Sequence, residues 1–300
     1  MDGIIVIDKE SDYTSFDVVA IVRGILREKK IGHSGTLDPM ATGVLPILVG
    51  AAAKAQSLLP DTDKEYEADF RLGMTTDTLD ITGRVLSECE CDIKREDIEG
   101  ILPSFRGDIM QIPPMYSAVQ KNGVRLYDLA RQGIEVEREA RPVTVTRLEL
   151  MEFDESAKCG RFIISCSKGT YIRVICDDIG KLLGCGCVMT ALRRTSACGY
   201  TVNDAIKLSE LQKYKDEGRT EEILRPVDSI FNCYDKLIVS DKQAVRFSNG
   251  ASLSLERLKK TADCPDGTIL RVYGNKAFIG LGIIDRSAGE LKLKKNFFRK

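Results

Sequence analysis

Among side chains able to attack an electrophile or move a proton, Asp38 stands out, inside the run GHSGTLDPMATG. Pro39 fixes the backbone angle that follows it, and Gly35 and Gly43 let the loop come close to a bound molecule. An Asp-Pro pair in a glycine-rich stretch also makes an ordinary turn, and local physics alone favours that reading. The rest of the composition narrows the chemistry. His33 is the single histidine, which removes most arrangements that need an imidazole base. The 10 cysteines include the C-x-C pairs Cys89/Cys91 and Cys185/Cys187 but no C-x-x-C, so they read as reduced structural thiols and no metal site is expected. An enzyme built from this chain would use a carboxylate, which can serve as a covalent nucleophile as it does in glycosidases.

Regular elements must hold that loop. Residues 3–8 read as a short buried strand, followed by a polar turn in which Thr14 and Asp17 have capping-box spacing. A helix should start there, with Phe16, Val19, Ile21, Val22, Ile25 and Leu26 at helical spacing and Arg27, Lys29 and Lys30 suiting its C-terminal dipole. The loop follows, ahead of a buried run at 44–49. A strand is expected at 65–72, broken by MTTDTLDITG, and an acidic surface helix at 93–101. Asn122-Gly123 signals a turn before a helical run at 124–131. Strands resume at 144–152 and 161–167, and 169–179 passes from a strand end into a helix. Beyond 226–236 the helical pattern stops and short strands dominate. Gly274-Asn275 there marks a two-residue hairpin turn of the primed type.

Three hundred residues, 43% of them hydrophobic, suffice for one large domain or a large and a small one. The start MDGIIVIDKE is neither a signal peptide nor a membrane anchor, which places the protein in the cytoplasm. The net charge of −1 lowers the expectation of a nucleic-acid partner, so local charge would have to carry any RNA binding. It is available in Lys292, Lys294, Lys295, Arg299 and Lys300, in Arg193 and Arg194, and along 121–147. Each of these runs taken alone reads as a solvated face.

The stretch GHSGTLDPMATGVLPILVGAAAK resembles the catalytic motif of the TruB-type pseudouridine synthases, in which GxLDPxATG surrounds an aspartate. Further segments follow in the family's order: KEYEADFRLGMTTDTLDITG, SKGTYIRVICDDIG and ALRRTSACGY. GIIVIDKESDYTSFDVV, PPMYSAVQKNGVRLYDLAR and LRPVDSIF are also similar, so the resemblance spans almost the whole chain.

The resemblance implies an α+β pseudouridine synthase fold with a central mixed, largely antiparallel sheet over residues 1–235, including an RNA-binding insertion at about 110–143. A small β-rich, PUA-like RNA-binding domain is implied for 236–300. It implies an isomerase that converts uridine 55 in the T-loop of tRNA to pseudouridine by base flipping, as a monomer without cofactor, metal, membrane or obligatory protein partner. Asp38 matches the nucleophile, Tyr66 the aromatic residue that stacks on the target base, and Arg173 the basic residue that pairs with the carboxylate. Tyr171 and Leu192 match pocket-lining positions, His33 a contact to RNA near the extruded nucleotide, and Lys9 a support of the catalytic loop. A glycosidase would need a second catalytic carboxylate near Asp38. An RNA chaperone would not need the intact LDP loop, and a guide-RNA-dependent relative would be expected to carry extended basic tails and partner proteins.

Overall fold

A strand that is apolar at nearly every position needs cover on both faces, and β1 (Gly3–Lys9) has it. Its period of two sends Ile5 and Ile7 into the main hydrophobic core and Ile4 and Val6 into a second core on the opposite face. The computed structural model describes residues 1–60, 63–258, 261–274 and 277–298. The next strands, β2 (Ile31–His33) and β3 (Thr42–Val49), enclose the glycine-rich loop. β3 pairs antiparallel with β1, from Gly3 opposite Val49 to Lys9 opposite Gly43.

Between β1 and β2 runs α1 (Ser15–Leu26). The Asp17 amide donates to the Thr14 hydroxyl at 3.1 Å and the Thr14 amide donates to the Asp17 carboxylate at 2.7 Å, the reciprocal cap expected from the sequence. Its buried stripe is Ser15, Val18, Val19, Val22 and Leu26. Phe16, grouped with that stripe by spacing, is instead 67% exposed. One residue beyond Ser15 it is turned about 100° around the helix, off the core.

β4 (Lys64–Leu72) alternates, with Tyr66, Ala68, Phe70 and Leu72 buried. The chain continues through the hairpin β5 (Met74–Thr76) and β6 (Val85–Glu88), α2 (Arg95–Ile101) and the edge strand β7 (Gly107–Gln111). The following excursion holds the hairpin β8 (Gln120–Lys121) and β9 (Val124–Arg125), then α3 (Leu126–Arg131). Asn122 and Gly123 close that hairpin with φ of 52° and 81°, the positive pair a primed turn requires. β10 (Arg141–Asp154), β11 (Cys159–Cys166), α4 (Ile172–Leu182), β12 (Cys187–Ala197), β13 (Tyr200–Thr201) and α5 (Leu208–Asp216) complete the larger unit.

The sheet order is β1-β3-β12-β4-β11-β10-β7, with β2 beside β3 and β13 beside β12. β3 and β12 run parallel where Thr42 and Gly43 meet Arg193 and Arg194, and the other pairings are antiparallel. This is the mixed, largely antiparallel α+β sheet expected. Among the described residues, no helix is long and apolar enough to cross a membrane.

The C-terminal strands β14 (Asp235–Ile238), β15 (Leu253–Ser254), β16 (Ile269–Gly274), β17 (Ala277–Asp285) and β18 (Glu290–Asn296) form a second sheet, ordered β14-β16-β17-β18-β15. Gly274 pairs with Ala277, so a hairpin stands where the sequence signalled one. Gly274 is thereby a strand residue and not the first residue of the turn, and Asn275 lies outside the described residues, as do Arg299 and Lys300. The helix α6 (Asp241–Ser248) was not anticipated, although Ser240 and Gln243 form a capping box.

The C-terminal sheet is not loosely tethered. Leu281 and Phe297 join Ile4, Val6, Val44 and Leu48 in the second core. Phe231 is fully buried there, its ring 5.4 Å from that of Phe297 and 6.3 Å from that of Phe278. Phe231→Ala is expected to cost about 3–5 kcal/mol, read as a shift in the denaturant midpoint. A shift under about 1 kcal/mol would mean that the two sheets do not share a core.

Candidate active site

Nothing in a glycine-rich loop holds its own shape, so the neighbours of residues 34–41 must do so. The Ser34 amide donates to Pro46 O at 3.0 Å. Ser15, buried at the start of α1, donates its hydroxyl to Leu37 O and accepts from the Leu37 amide at 2.9 Å. The Asp12 amide donates to Pro39 O at 2.9 Å, and the Ala41 amide turns back to Asp38 O at 3.0 Å. Two buried cations complete the frame. Lys9 Nζ donates to the carbonyls of Glu10, Pro39 and Ala41 at 2.9, 3.1 and 2.5 Å. Burial pulls its pKa down to about 8, against the raising effect of the Asp38 charge. Three acceptors match the three N–H bonds of the ammonium form; the neutral amine offers only two.

Arg194 supplies the other cation. Sequence reasoning counted it with Arg193 as surface charge for RNA, but the structure buries it completely. Its Nε donates to Val44 O at 2.7 Å and its two Nη atoms reach Thr36 O and Gly35 O at 3.3 and 3.2 Å. It occupies an inward position of β12, two residues after buried Leu192, a strand alternation visible in ALRRT. Gly43 makes the close approach possible: with φ of +101°, a Cβ there would lie 2.2 Å from Arg194 O. Arg193 is half-exposed and pairs with Asp8 at 2.9 Å.

Asp38, its side chain 38% exposed, meets Arg173 from the first turn of α4, with 3.0 Å between Oδ2 and Nε. The two-pronged grip expected from a guanidinium is absent, because the Nη atoms are committed elsewhere. Nη1 donates to Thr78 O at 2.9 Å and Nη2 to Tyr116 O at 3.1 Å, while Asp80 Oδ2 stands 3.7 Å from Nη1. Asp80 is in turn fixed by Thr78 and by the amide and hydroxyl of Thr82. The start of α4 is anchored by Gln111, which accepts from the Tyr171 amide at 2.7 Å and donates to Tyr171 O at 3.1 Å. Thus the guanidinium ties the β5–β6 connection, the excursion after β7 and the Asp38 loop together. Asp80, Gln111 and Ser15 were missed by sequence reasoning, since their work is local hydrogen bonding with no spacing signature.

Tyr66 and Leu192 lie on neighbouring strands of the main core, Leu192 opposite Ala68 and Arg194 opposite Tyr66. Burial pushes the Tyr66 phenol up to about 12, so it stays neutral at working pH. Tyr171 is half-buried, its pKa also raised chiefly by burial, and the Asp38 charge reaches both phenols. His33 sits at the entry of the loop, within reach of the Arg194 charge. Its ring meets Phe16 edge-on at 5.7 Å, Nδ1 is buried without a hydrogen-bond partner, and burial holds it neutral by lowering its pKa. Among the described residues, no group of three or more His, Cys, Asp and Glu side chains could hold a metal ion.

Known proteins resemble this chain along almost its whole length. Residues 23–172 match the TruB family pseudouridylate synthase N-terminal domain, and residues 173–232 match the tRNA pseudouridylate synthase B C-terminal domain. The chain is 41% identical over 303 residues to tRNA pseudouridine synthase B of Alkaliphilus oremlandii, covering 100% of both chains. It is 43% identical over 286 residues to the protein of that name from Pseudomonas paraeruginosa, covering 94% of this chain and 91% of the relative. The fold superposes on a chain in the crystal structure of a Cbf5–Nop10–Gar1 complex with a TM-score of 0.76 and 25% identity, over 99% of this chain and 85% of that one. A second likeness, to a chain of an H/ACA ribonucleoprotein bound to substrate RNA, has a TM-score of 0.75 at 23% identity, over 99% of this chain and 85% of that one. With the first matched domain filling half the sequence and relatives above 40% identity along nearly their whole length, the chain belongs to the TruB family of pseudouridine synthases.

Proposed function

We propose that the protein isomerises a uridine of tRNA to pseudouridine, at the T-loop position conventionally numbered 55, with Asp38 as nucleophile. The observation that carries the reading is the Asp38–Arg173 pair, a half-exposed carboxylate on a loop pinned from five directions. The reaction breaks the N1–C1′ bond, turns the uracil and forms C5–C1′, with the C5 proton leaving and N1 taking one up. No redox equivalent or group donor is consumed, which suits a centre whose half-exposed carboxylate is Asp38, beside neutral phenols.

The target base must leave its stack, at a cost of a few kcal/mol that stacking on an aromatic ring offsets by roughly 1–3 kcal/mol. Tyr66 provides that ring, with Tyr171 and Leu192 as pocket walls, His33 toward the RNA and Lys9 under the loop. The insertion at about 110–143 presents Lys121, Arg125 and Arg131 to the T-arm, the two arginines 5.8 and 5.5 Å from the centre of the Tyr127 ring. Residues 1–235 act as the catalytic domain and 236–300 as a PUA-like RNA-binding domain. The protein works alone, as a cytoplasmic monomer, with neither cofactor nor metal.

Tyr66→Leu is expected to fold normally and to lower the single-turnover rate roughly 10- to 100-fold, the equivalent of one stacked base. Release of tritium from C5-labelled tRNA measures it. A rate equal to wild type would dismiss Tyr66 as the stacking residue.

A further inference from the structure

Two residues before Tyr66, β4 begins with Lys64. Residues i and i+2 of a strand share a face, so the two side chains project on the same side, about 7 Å apart along the strand. The lysine stem crosses the catalytic loop. Its Cε and Nζ lie 3.5 and 3.7 Å from the point a Cβ on Gly35 would occupy, and Arg194 Nη1 lies 3.8 Å from the same point.

Charge at this place is unbalanced. Lys64 is half-buried, and its pKa is lowered by burial first, then by Arg194, with Lys168 adding to the same effect. Among the described residues no carboxylate pairs with it. Glu65, the next residue, points to the other face, where it meets Arg147, Ser165 and Thr195. Arg194 spends its donors on carbonyls, which do not neutralise its charge. Like charges gathered without a directly paired carboxylate oppose folding, and an arriving anion reverses that.

We infer that Lys64 forms a subsite for one of the two phosphodiesters flanking the extruded uridine. The inference rests on the proposed role of Tyr66. A compact ammonium at the loop's rim suits a phosphate oxygen better than a base edge, since it is a point charge without the fork that reads a planar group. On this reading Lys64 sets the position of the nucleotide rather than its identity.

The test is binding of a T-arm stem-loop RNA in an Asp38→Asn background, which does not turn over. Lys64→Met keeps the stem and removes the charge; Lys64→Arg keeps the charge. The Met variant is expected to bind roughly 10- to 100-fold more weakly at low salt. Its slope of log affinity against log salt should be shallower by about 0.7–0.9, the loss of one phosphate contact. The Arg variant should stay near the parent in both. Replacing each flanking phosphodiester in turn by a neutral methylphosphonate identifies the anion, and one of the two replacements should weaken the Lys64 protein and leave the Met variant unchanged. An unchanged salt slope in the Met variant, or indifference of the Lys64 protein to both replacements, overturns the subsite. The methylphosphonate scan needs no change in the protein, so indifference to both replacements overturns the subsite even where the Met variant is unstable. Failure of the functional reading gives a different signal: the protein with Asp38 intact would leave the same RNA unmodified.

Discussion

Asp38→Asn is expected to lower the single-turnover rate by at least about 10⁴-fold, the scale of losing a covalent nucleophile, while tRNA binding stays within about threefold of wild type. Asparagine has the shape of aspartate and can still offer an oxygen to Arg173 Nε, so the contact at 3.0 Å can survive as a neutral hydrogen bond. The loop keeps its other supports, since Ser15, Lys9 and Arg194 bind its backbone rather than the Asp38 side chain. Binding and chemistry should therefore separate cleanly. Residual turnover above about 1% of wild type would remove Asp38 from the nucleophilic role.

Arg173→Lys should be nearly as damaging despite keeping the charge, with a rate loss of roughly 10²–10³-fold. The guanidinium makes three contacts at once, Nε to Asp38, Nη1 to Thr78 O and Nη2 to Tyr116 O. An ammonium on a shorter reach cannot span them. With the side chain only 6% exposed, water cannot readily replace the lost donors, and two carbonyls are left without partners. The excursion after β7 and the Thr78 turn should then loosen, so the affinity for RNA falls together with the rate. A near-wild-type rate in the lysine variant would show that charge alone matters there.

Sequence resemblance could name a candidate centre because its parts are long contiguous motifs. Asp38, Tyr66, Arg173 and Leu192 come from four separate segments, and the sheet brings those segments together through β3, β4, α4 and β12. The local rules that worked were those with a strict period or geometry: the Thr14 cap, the alternation in β4 and the turn at Asn122-Gly123. What composition could not give was whether a charged residue faces water. Arg194 and Lys9 are fully buried, and each is satisfied by backbone carbonyls of a loop distant in sequence. Phe16 shows the reverse case, an apolar residue one position off the buried stripe that ends up exposed beside His33. The shared core around Phe231 was also illegible, because it forms between elements more than 200 residues apart, such as Ile4 and Leu281.

On the proposed function this chain, alone, converts one tRNA uridine to pseudouridine. The direct measurement is incubation of the purified protein with an unmodified tRNA transcript in buffer containing a chelator, followed by mapping of pseudouridine at nucleotide resolution. A single modified position, the T-loop uridine numbered 55, is expected in wild-type protein and none in Asp38→Asn. Modification at another position, a requirement for added metal or a partner protein, or no pseudouridine at all would contradict it.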